Sequence, residues 1–336
     1  MDRFVVRGKR VRVDDGRPTA VELFAGAGGM AIGLERVGLR HVALVEWDKH
    51  CVSSLRRNGF THVIHSDAKR VDYTQFHGAD VVAGGPPCQP FSVGGVDGGS
   101  KDPRDGWPTA IRAVREIEPR AFLFENVAGL MRDKFKAYLD SILARFYALG
   151  YSVHVHSVDA ADYGVPQHRK RVLLVGIRGV AWFQRPPRVE QHVTLRHAMR
   201  GLGPPNGRNG HVPHDVAPRI YPGHTGSKLD APSKTLVAGL HGQCGGSGMV
   251  ELDDDTLRYL TPREQARVQS FPDTYALPAT WSHVCKQMGN ACPPLLVEQF
   301  ARELLRLIAL PVPHKAPRRA TSPSLRRPAT DFPVWR

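Results

Sequence analysis

Cysteine is scarce in this chain, with five among 336 residues, namely Cys51, Cys88, Cys244, Cys285 and Cys292. Their odd number and scattered spacing argue against a disulfide framework. His241 and Cys244 have the spacing of metal ligands, but no second close pair completes a tetrahedral zinc site. The sequence therefore predicts no bound metal.

Long apolar runs are also missing. A helix that spans a bilayer needs about 20 apolar residues in succession, and no run in this sequence reaches that length. The opening residues, Met1–Phe4, lack the apolar core of a secretory signal. These absences argue against a membrane protein, and we expect a cytoplasmic location, on the nucleoid if the source is bacterial.

Acidic residues are outnumbered, since 46 Lys and Arg face 32 Asp and Glu and give a formal net charge of +14. Such an excess favours a polyanionic partner. Part of it lies at the ends, where residues 1–17 carry a net +3 and residues 311–336 a net +5. Solvated tails and nucleic-acid contacts both remain open for these ends.

The first half of the chain alternates strand-like and helix-like segments. Residues 135–149, for example, place apolar side chains on one helical face. Short β-branched or apolar runs predict strands at Thr19–Phe24, His41–Glu46, Asp80–Gly84, Arg120–Glu125, Tyr151–Asp159 and Arg171–Arg178. This alternation predicts an α/β fold with a doubly wound, mostly parallel sheet.

The pattern breaks down over residues 179–257, where 12 Gly and 8 Pro occur in 79 residues. We interpret this stretch as most of an inserted, irregular domain. Regular structure resumes at Thr261-Pro262, a good helix start, and the last helix begins at Pro293-Pro294. The expected organisation is a main α/β domain over 1–178, a smaller domain over 179–284 with its variable part at 179–257, a returning helix over 285–310, and a basic, proline-rich, disordered tail over 311–336.

A glycine-rich turn follows the first predicted strand. Gly26, Gly28 and Ala31 match the G-x-G-x-x-A fingerprint of dinucleotide sites, in which the backbone approaches a ligand at a helix N-terminus. Glu46 stands twenty positions after Gly26, where an acid binds ribose hydroxyls. Trp47 beside it would stack on adenine. This motif alone does not separate NAD from S-adenosylmethionine.

The most specific block ends the third predicted strand and reads Gly84-Gly85-Pro86-Pro87-Cys88-Gln89-Pro90-Phe91-Ser92. Ligand sites of parallel sheets lie at the carboxyl ends of strands, and the prolines stiffen the turn that presents the thiol. The glycine-rich stretch 94–99 that follows is typical of a loop that closes over a site. A lone cysteine is more often a small buried hydrophobe, but this block is far more specific.

Two further blocks carry charge. Glu125-Asn126 stands at the end of another predicted strand, and Gln167-His168-Arg169-Lys170-Arg171 precedes the last one. Taken alone, Glu125 could equally be an acid in a structural salt bridge. Arg169 and Arg171 could equally belong to a solvated basic surface run.

Taken together, these blocks resemble those of the DNA (cytosine-5) methyltransferases over roughly residues 19–310. The matching blocks stand in the family's order: Phe24–Gly29, Glu46–Asp48, Gly85–Gln89, Glu125–Val127, Gln167–Arg171, Arg258–Glu264 with Gln269–Pro272, and Gln287–Pro294. The resemblance implies the fold of S-adenosylmethionine-dependent methyltransferases, with a smaller target-recognition domain.

The family also implies roles for individual residues. Cys88 would add as a thiolate to carbon 6 of cytosine, and carbon 5 would then attack the donor methyl. Glu125, protonated, would bind the ring and offset its charge. Asn126 would hold the loop, while Arg169 and Arg171 would contact phosphate and the base carbonyl. The group that removes the carbon-5 proton stays unassigned.

Further contacts follow from the same resemblance. The methyl donor, S-adenosylmethionine, would be bound by Phe24, Gly26, Gly28, Gly29, Glu46, Trp47, Asp67, Pro86 and Asn290. The substrate would be bound by Gln89, Ser92, Asn126, Gln167 and Thr235. The chain departs from the family pattern at Cys292 and at Trp107-Pro108, which leaves the donor contact near Trp107 open.

The implied partner is double-stranded DNA, bound by a monomer, with the target cytosine rotated out of the stack. Sequence specificity would reside mainly in 179–257. The resemblance leaves open whether a cognate restriction endonuclease accompanies the enzyme and whether its role is restriction-modification or epigenetic. Three other classes remain: a nicotinamide-dependent oxidoreductase, a non-catalytic DNA-binding relative, and an RNA cytosine-5 methyltransferase.

Overall fold

The computed structural model describes residues 15–87, 105–218, 225–239 and 245–310. The strands in these ranges are β1 Thr19–Leu23, β2 Arg40–Glu46, β3 Val63–His65, β4 Val81–Gly84, β5 Ala121–Val127, β6 Tyr151–Asp159, β7 Lys170–Arg178, β8 Ser227–Lys228, β9 Met249–Glu251 and β10 Leu257–Tyr259. The α-helices are α1 Gly29–Arg36, α2 Lys49–Arg57, α3 Trp107–Ile117, α4 Lys136–Ala148, α5 Leu195–Met199, α6 Pro262–Val268, α7 Trp281–Asn290 and α8 Pro294–Ala309. No helix in the described ranges has both the length and the apolar composition needed to cross a bilayer.

The main sheet has seven strands in the order β3-β2-β1-β4-β5-β7-β6. All pairings among β1 to β5 are parallel, whereas β7 runs antiparallel to both β5 and β6. The prediction of a mostly parallel sheet is confirmed, and so are all six predicted strands. The strand order reverses between β1 and β4, and ligands of such sheets bind in the crevice at that switch point.

Helices cover both faces of this sheet, which confirms the doubly wound prediction. On one face α3 and α4 pack on Val21, Phe122 and Phe124. On the other face α1 and α8 pack on Ala20, Ala83 and Leu173. Helix α4 buries the predicted side chains at 139, 142 and 146, and α8 begins at the predicted position.

The stretch 179–257, predicted as most of a second domain, contains little regular structure in its described parts. A small sheet, β10-β9-β8, packs with α5 and α6 around Leu195, Leu236 and Val250. Helix α6 begins with the predicted capping box, in which Thr261 and Glu264 bond reciprocally.

The domain boundary expected between 284 and 285 is wrong, because α7 runs through it without a break. Val284 and Met288 of α7 pack with Phe271 and Tyr275 against Ala27 in the glycine turn. The stretch 262–290 is therefore held against the main domain by its apolar side chains. The expectations for residues 94–99 and for the tail 311–336 fall outside the described residues.

Candidate active site

The turn after β1 is a strained, tightly packed piece of backbone. Phe24, Gly26 and Gly28 all have positive φ, at 58°, 54° and 79°. The left-handed conformation is strained for Phe24, whereas glycine adopts it freely. Such backbone strain is common at functional sites. Gly29 has no room for a side chain, since an added Cβ would overlap the carbonyl oxygen of Cys292. Space lies open beyond Gly26 as far as the described residues go, since apart from its chain neighbours none of them has an atom within 4 Å of an added Cβ.

Glu46 at the end of β2 fixes this turn. Its carboxylate accepts hydrogen bonds from the backbone N–H groups of Gly26 at 2.7 Å and of Trp47 and Asp48 at 2.8 Å each. The Trp47 side chain itself is 76% exposed and its ring is open to a stacking partner. The acid that the sequence assigned to ribose thus also joins the carboxyl ends of β1 and β2.

The remaining residues assigned to the donor lie around the same edge. Asp67 follows β3, is exposed, and accepts from the backbone of Lys69 at 2.9 Å. Pro86 is buried after β4. Asn290 is exposed as the last residue of α7, the helix that packs on the glycine turn. Trp107, in contrast, is completely buried in the core against Phe124, so it is a packing residue.

The loop after β4 is tied to β5 through Asn126. Its side-chain nitrogen donates to the carbonyl of Pro86 at 3.0 Å, and its oxygen accepts from the backbone of Val127 at 2.9 Å. Gly106 donates to the carbonyl of Pro87 at 3.1 Å. This hydrogen bond holds residues 87 and 106 together. Cys88, Gln89 and Ser92 lie outside the described residues.

Glu125 and Arg171 form a nearly buried ion pair beside this loop. Arg171 Nε lies 2.6 Å from Glu125 Oε1, and the two side chains are 12% and 11% exposed. The other carboxylate oxygen, Oε2, lies 3.5 Å from where a Cβ would stand on Gly85. The carboxyl group is thus placed at the start of the segment that carries Cys88. Low solvent access strengthens such a charge-assisted contact.

Arg169, which the sequence analysis expects to contact phosphate or the base, is buried in this structure. It is 1% exposed, and its guanidinium donates to the carbonyls of Leu236 at 2.9 Å and Gly289 at 2.7 Å. Burial, with Arg171 nearby, lowers the pKa of Arg169 to about 9, so it stays charged at neutral pH. Its two terminal nitrogens donate to these backbone oxygens, while Nε has no partner among the described residues.

Gln167 and Thr235 are likewise engaged within the protein. Gln167 is fully buried and its side-chain oxygen accepts from the backbone of Leu236 at 2.9 Å. The Thr235 hydroxyl donates to the carbonyl of His168. These groups bring the segment around 235 to the start of β7 rather than presenting free donors at a surface.

One buried polar cluster was missed by the sequence interpretation. His41 on β2 bonds Glu22 of β1 at 3.1 Å and Glu35 of α1 at 3.2 Å. Glu22 and His41 are almost completely buried. The signal was a charged residue inside the apolar run Thr19–Leu23, because a buried charge requires a partner.

The seven-stranded sheet, with antiparallel β7 inserted between β5 and β6, is that of the S-adenosylmethionine-dependent methyltransferase fold, and its switch point lies beside the glycine turn. Solved structures agree with it. The Entamoeba histolytica methyltransferase EhMeth aligns with a TM-score of 0.72 at 15% identity, over 88% of this chain and 99% of that one. The S. pombe Dnmt2 methyltransferase gives 0.67 at 19%, over 88% and 100%. At these identities the likeness shows the fold alone.

The family follows from the sequence comparison. The model of the C-5 cytosine-specific DNA methylases matches residues 19–201 and 208–306. The Type II methyltransferase M.NgoMIV of Neisseria gonorrhoeae is 35% identical over 86% of this chain and 98% of its own length. M.AplI of Arthrospira platensis is 33% identical over 84% of each chain. This chain belongs to the C-5 cytosine-specific DNA methylase family and is a DNA (cytosine-5) methyltransferase, which sets aside the oxidoreductase reading.

Proposed function

We propose that the enzyme methylates carbon 5 of a flipped-out cytosine in a specific duplex sequence through a covalent adduct of Cys88. Cytosine is a poor nucleophile at carbon 5. Addition of the Cys88 thiolate to carbon 6 converts the ring to an enamine, whose carbon 5 can attack an electrophilic methyl group. Loss of the carbon-5 proton to a base then expels the thiolate and restores the ring.

The position of Glu125 is the observation that carries this proposal. The carboxyl group sits at the end of β5, next to Gly85 and paired with Arg171. A base that enters beside Cys88 would meet this carboxyl group and the arginine at its polar edge. Fixed groups of this kind stabilise charge that develops on the ring without reorganising.

S-adenosylmethionine would bind at the glycine turn between β1 and α1 and supply the electrophilic methyl group. Open space at Gly26 admits a ligand close to the backbone, and the exposed Trp47 ring offers a stacking face. Glu46 holds the turn in this shape through its three backbone contacts. Asp67 and Asn290 would close the two ends of the site.

Duplex DNA is the proposed substrate, and the net charge of +14 supports a polyanion. The target base must leave the stack, at a cost of a few kcal/mol. The test compares methyl transfer from labelled S-adenosylmethionine to mixed-sequence duplex DNA and to structured RNA. We expect label on carbon 5 of cytosines in DNA. Label on RNA alone would favour the RNA-methylating alternative, and no label on either would favour a non-catalytic relative.

Specificity is assigned to residues 179–257. The main domain serves donor binding and chemistry, which are the same for every target cytosine, whereas base edges must be read by other side chains in the major groove. A graft tests this: the matching region of M.NgoMIV replaces 179–257, and methylated sites are read by bisulfite sequencing. The sites should switch to those of the grafted enzyme. An active chimera that keeps its original sites would place specificity elsewhere.

The biological role we propose is modification within a restriction system. The curated relatives M.NgoMIV and M.AplI are named Type II methyltransferases. A cognate endonuclease that cleaves the unmethylated site would be the partner, and the enzyme would act on DNA as a monomer. Host DNA methylated by this enzyme should then resist that endonuclease.

A further inference from the structure

The segment 233–238, called the target segment, is hydrogen-bonded to residues 166–169, which lead into β7. Ser233 donates its backbone N–H to Pro166 and accepts from His168, both at 2.9 Å, in a parallel bridge. The Thr235 hydroxyl adds a bond to the His168 carbonyl. A stretch of the second domain is thus held in register with the last strand-forming block of the main domain.

Two buried side chains clamp Leu236 at the centre of this segment. Gln167 accepts from its backbone N–H at 2.9 Å, and Arg169 donates to its backbone carbonyl at 2.9 Å. Both clamp residues are at most 1% exposed. Arg169 also donates to the carbonyl of Gly289 at 2.7 Å, next to Asn290 at the end of α7. One guanidinium therefore joins the target segment to the helix that packs on the glycine turn.

The contact with α7 has no spare room. A Cβ on Gly289 would overlap the backbone of Val237 and Ala238. The target segment therefore meets α7 backbone against backbone, and a shift of either must move the other. Arg169 and Arg171 stand two positions apart, so the clamp and the partner of Glu125 belong to one short extended stretch.

We propose that Arg169 is a positioning residue, which fixes the target segment relative to the Glu125–Arg171 pair and does not itself touch DNA. The inference rests on the proposed function, because it presumes that the enzyme binds and methylates duplex DNA. A buried arginine whose two terminal nitrogens donate to backbone carbonyls releases no counterion when DNA binds. Its effect reaches DNA only through the place it gives to residues 233–238.

The test substitutes Arg169→Met and uses Arg263→Met as the matched control. Arg263 is equally buried, at 1% exposed, and also donates to backbone carbonyls, those of Asn209, Pro272 and Tyr275. Both variants lose a buried charge and its backbone contacts, so both should lower the unfolding temperature. Only Arg169→Met removes the link between Leu236 and Gly289.

We measure kcat/KM for a short DNA duplex that carries a site found by bisulfite sequencing. We also measure how the affinity of the enzyme for this duplex depends on salt concentration. Displacement of a positioning group by about 1 Å can cost 10²-fold in rate, so kcat/KM should fall by up to that factor for Arg169→Met. The log–log salt slope should equal that of the wild type. Arg263→Met should keep kcat/KM within about twofold. Arg169→Lys, which keeps the charge and a donor, should recover part of the loss.

Three results would overturn the inference. A folded Arg169→Met enzyme with wild-type kcat/KM shows that the clamp does not matter. A salt slope smaller by about 0.9 means that Arg169 reaches a phosphate. An equal loss in Arg263→Met means that the effect is general destabilisation. If Arg169→Met does not fold, Gln167→Leu, which removes the other contact to Leu236, is judged by kcat/KM against Arg263→Met, and wild-type kcat/KM in the folded variant overturns the inference. Failure of the wild-type enzyme to methylate DNA would contradict the proposed function instead. That failure is seen before any variant is compared, so the two outcomes are distinguishable.

Discussion

Two histidines in the main domain differ in protonation at neutral pH, with His41 positively charged and His156 neutral. His41 is buried between Glu22 and Glu35. Burial alone would lower the pKa of His41, but these two carboxylates outweigh it and raise the pKa to about 9. His156 on β6 lies against Phe183 and Phe300, and burial lowers its pKa to about 4.

The free energy of unfolding should therefore depend on pH through both residues, with opposite sign. The raised pKa of His41 gives stability that is complete below pH 6.5 and is lost as the pH rises through about 9. Each pKa unit corresponds to about 1.4 kcal/mol, so the loss is on the order of 3 kcal/mol at most. The depressed pKa of His156 gives stability that is present above pH 6.5 and is lost toward pH 4.

Urea unfolding across pH 4 to 10 measures how the free energy of unfolding depends on pH through these two histidines. His41→Gln should be less stable than the wild type near pH 6 and should flatten the decline between pH 6.5 and 9. His156→Phe should flatten the acid side and leave the alkaline side unchanged. An alkaline decline of full size in His41→Gln would show that His41 is not charged in the native protein.

Helices α1 and α8 approach each other at Gly33. A Cβ at this position would lie 2.6 Å from the carbonyl oxygen of Pro294 and 2.7 Å from Val297 Cβ. Gly33→Ala should therefore push α8 away and cost about 1–3 kcal/mol of stability, although alanine favours the helix itself. Ser53→Ala, at an exposed position of α2, is the control and should change stability by less than about 0.5 kcal/mol. Equal stability of Gly33→Ala and the wild type would contradict the tight packing.

Elements with strong hydrophobic periodicity could be predicted from the sequence. The six longer strands, α4 and α8 all carry apolar runs or faces. Strand β3 could not be predicted, because its three residues are too few to show a hydrophobic period. The same holds for the short strands β8, β9 and β10. The boundary inside α7 was misplaced because the irregular composition of 179–257 says nothing about what the following helices pack against.

Site residues at strand ends were predictable for a different reason. Glu46, Glu125 and Asn126 come directly at the carboxyl ends of recognisable strands, and a parallel sheet gathers such ends at one edge. The burial of Arg169 was not predictable, since the basic block around it looks solvated. Its environment is set by Leu236 and Gly289, which are 67 and 120 positions away in the chain.

The whole molecule carries a charge of +14, and its affinity for DNA should fall steeply with salt. Each phosphate contact contributes about −0.9 to the log–log slope. Removal of residues 311–336, which carry a net +5, should flatten the slope if they touch DNA. An unchanged slope would assign the contacts to the rest of the chain.

The covalent step at Cys88 is tested most directly with duplex DNA that carries 5-fluorocytosine at the target site. Fluorine cannot leave as a proton after methyl transfer, so the thiolate cannot be expelled and the complex persists. With S-adenosylmethionine present, the wild-type enzyme should give a protein–DNA band that survives denaturing electrophoresis. Cys88→Ala should give neither this band nor methylated cytosine in normal DNA. A Cys88→Ala enzyme that methylates DNA at the wild-type rate would contradict the mechanism.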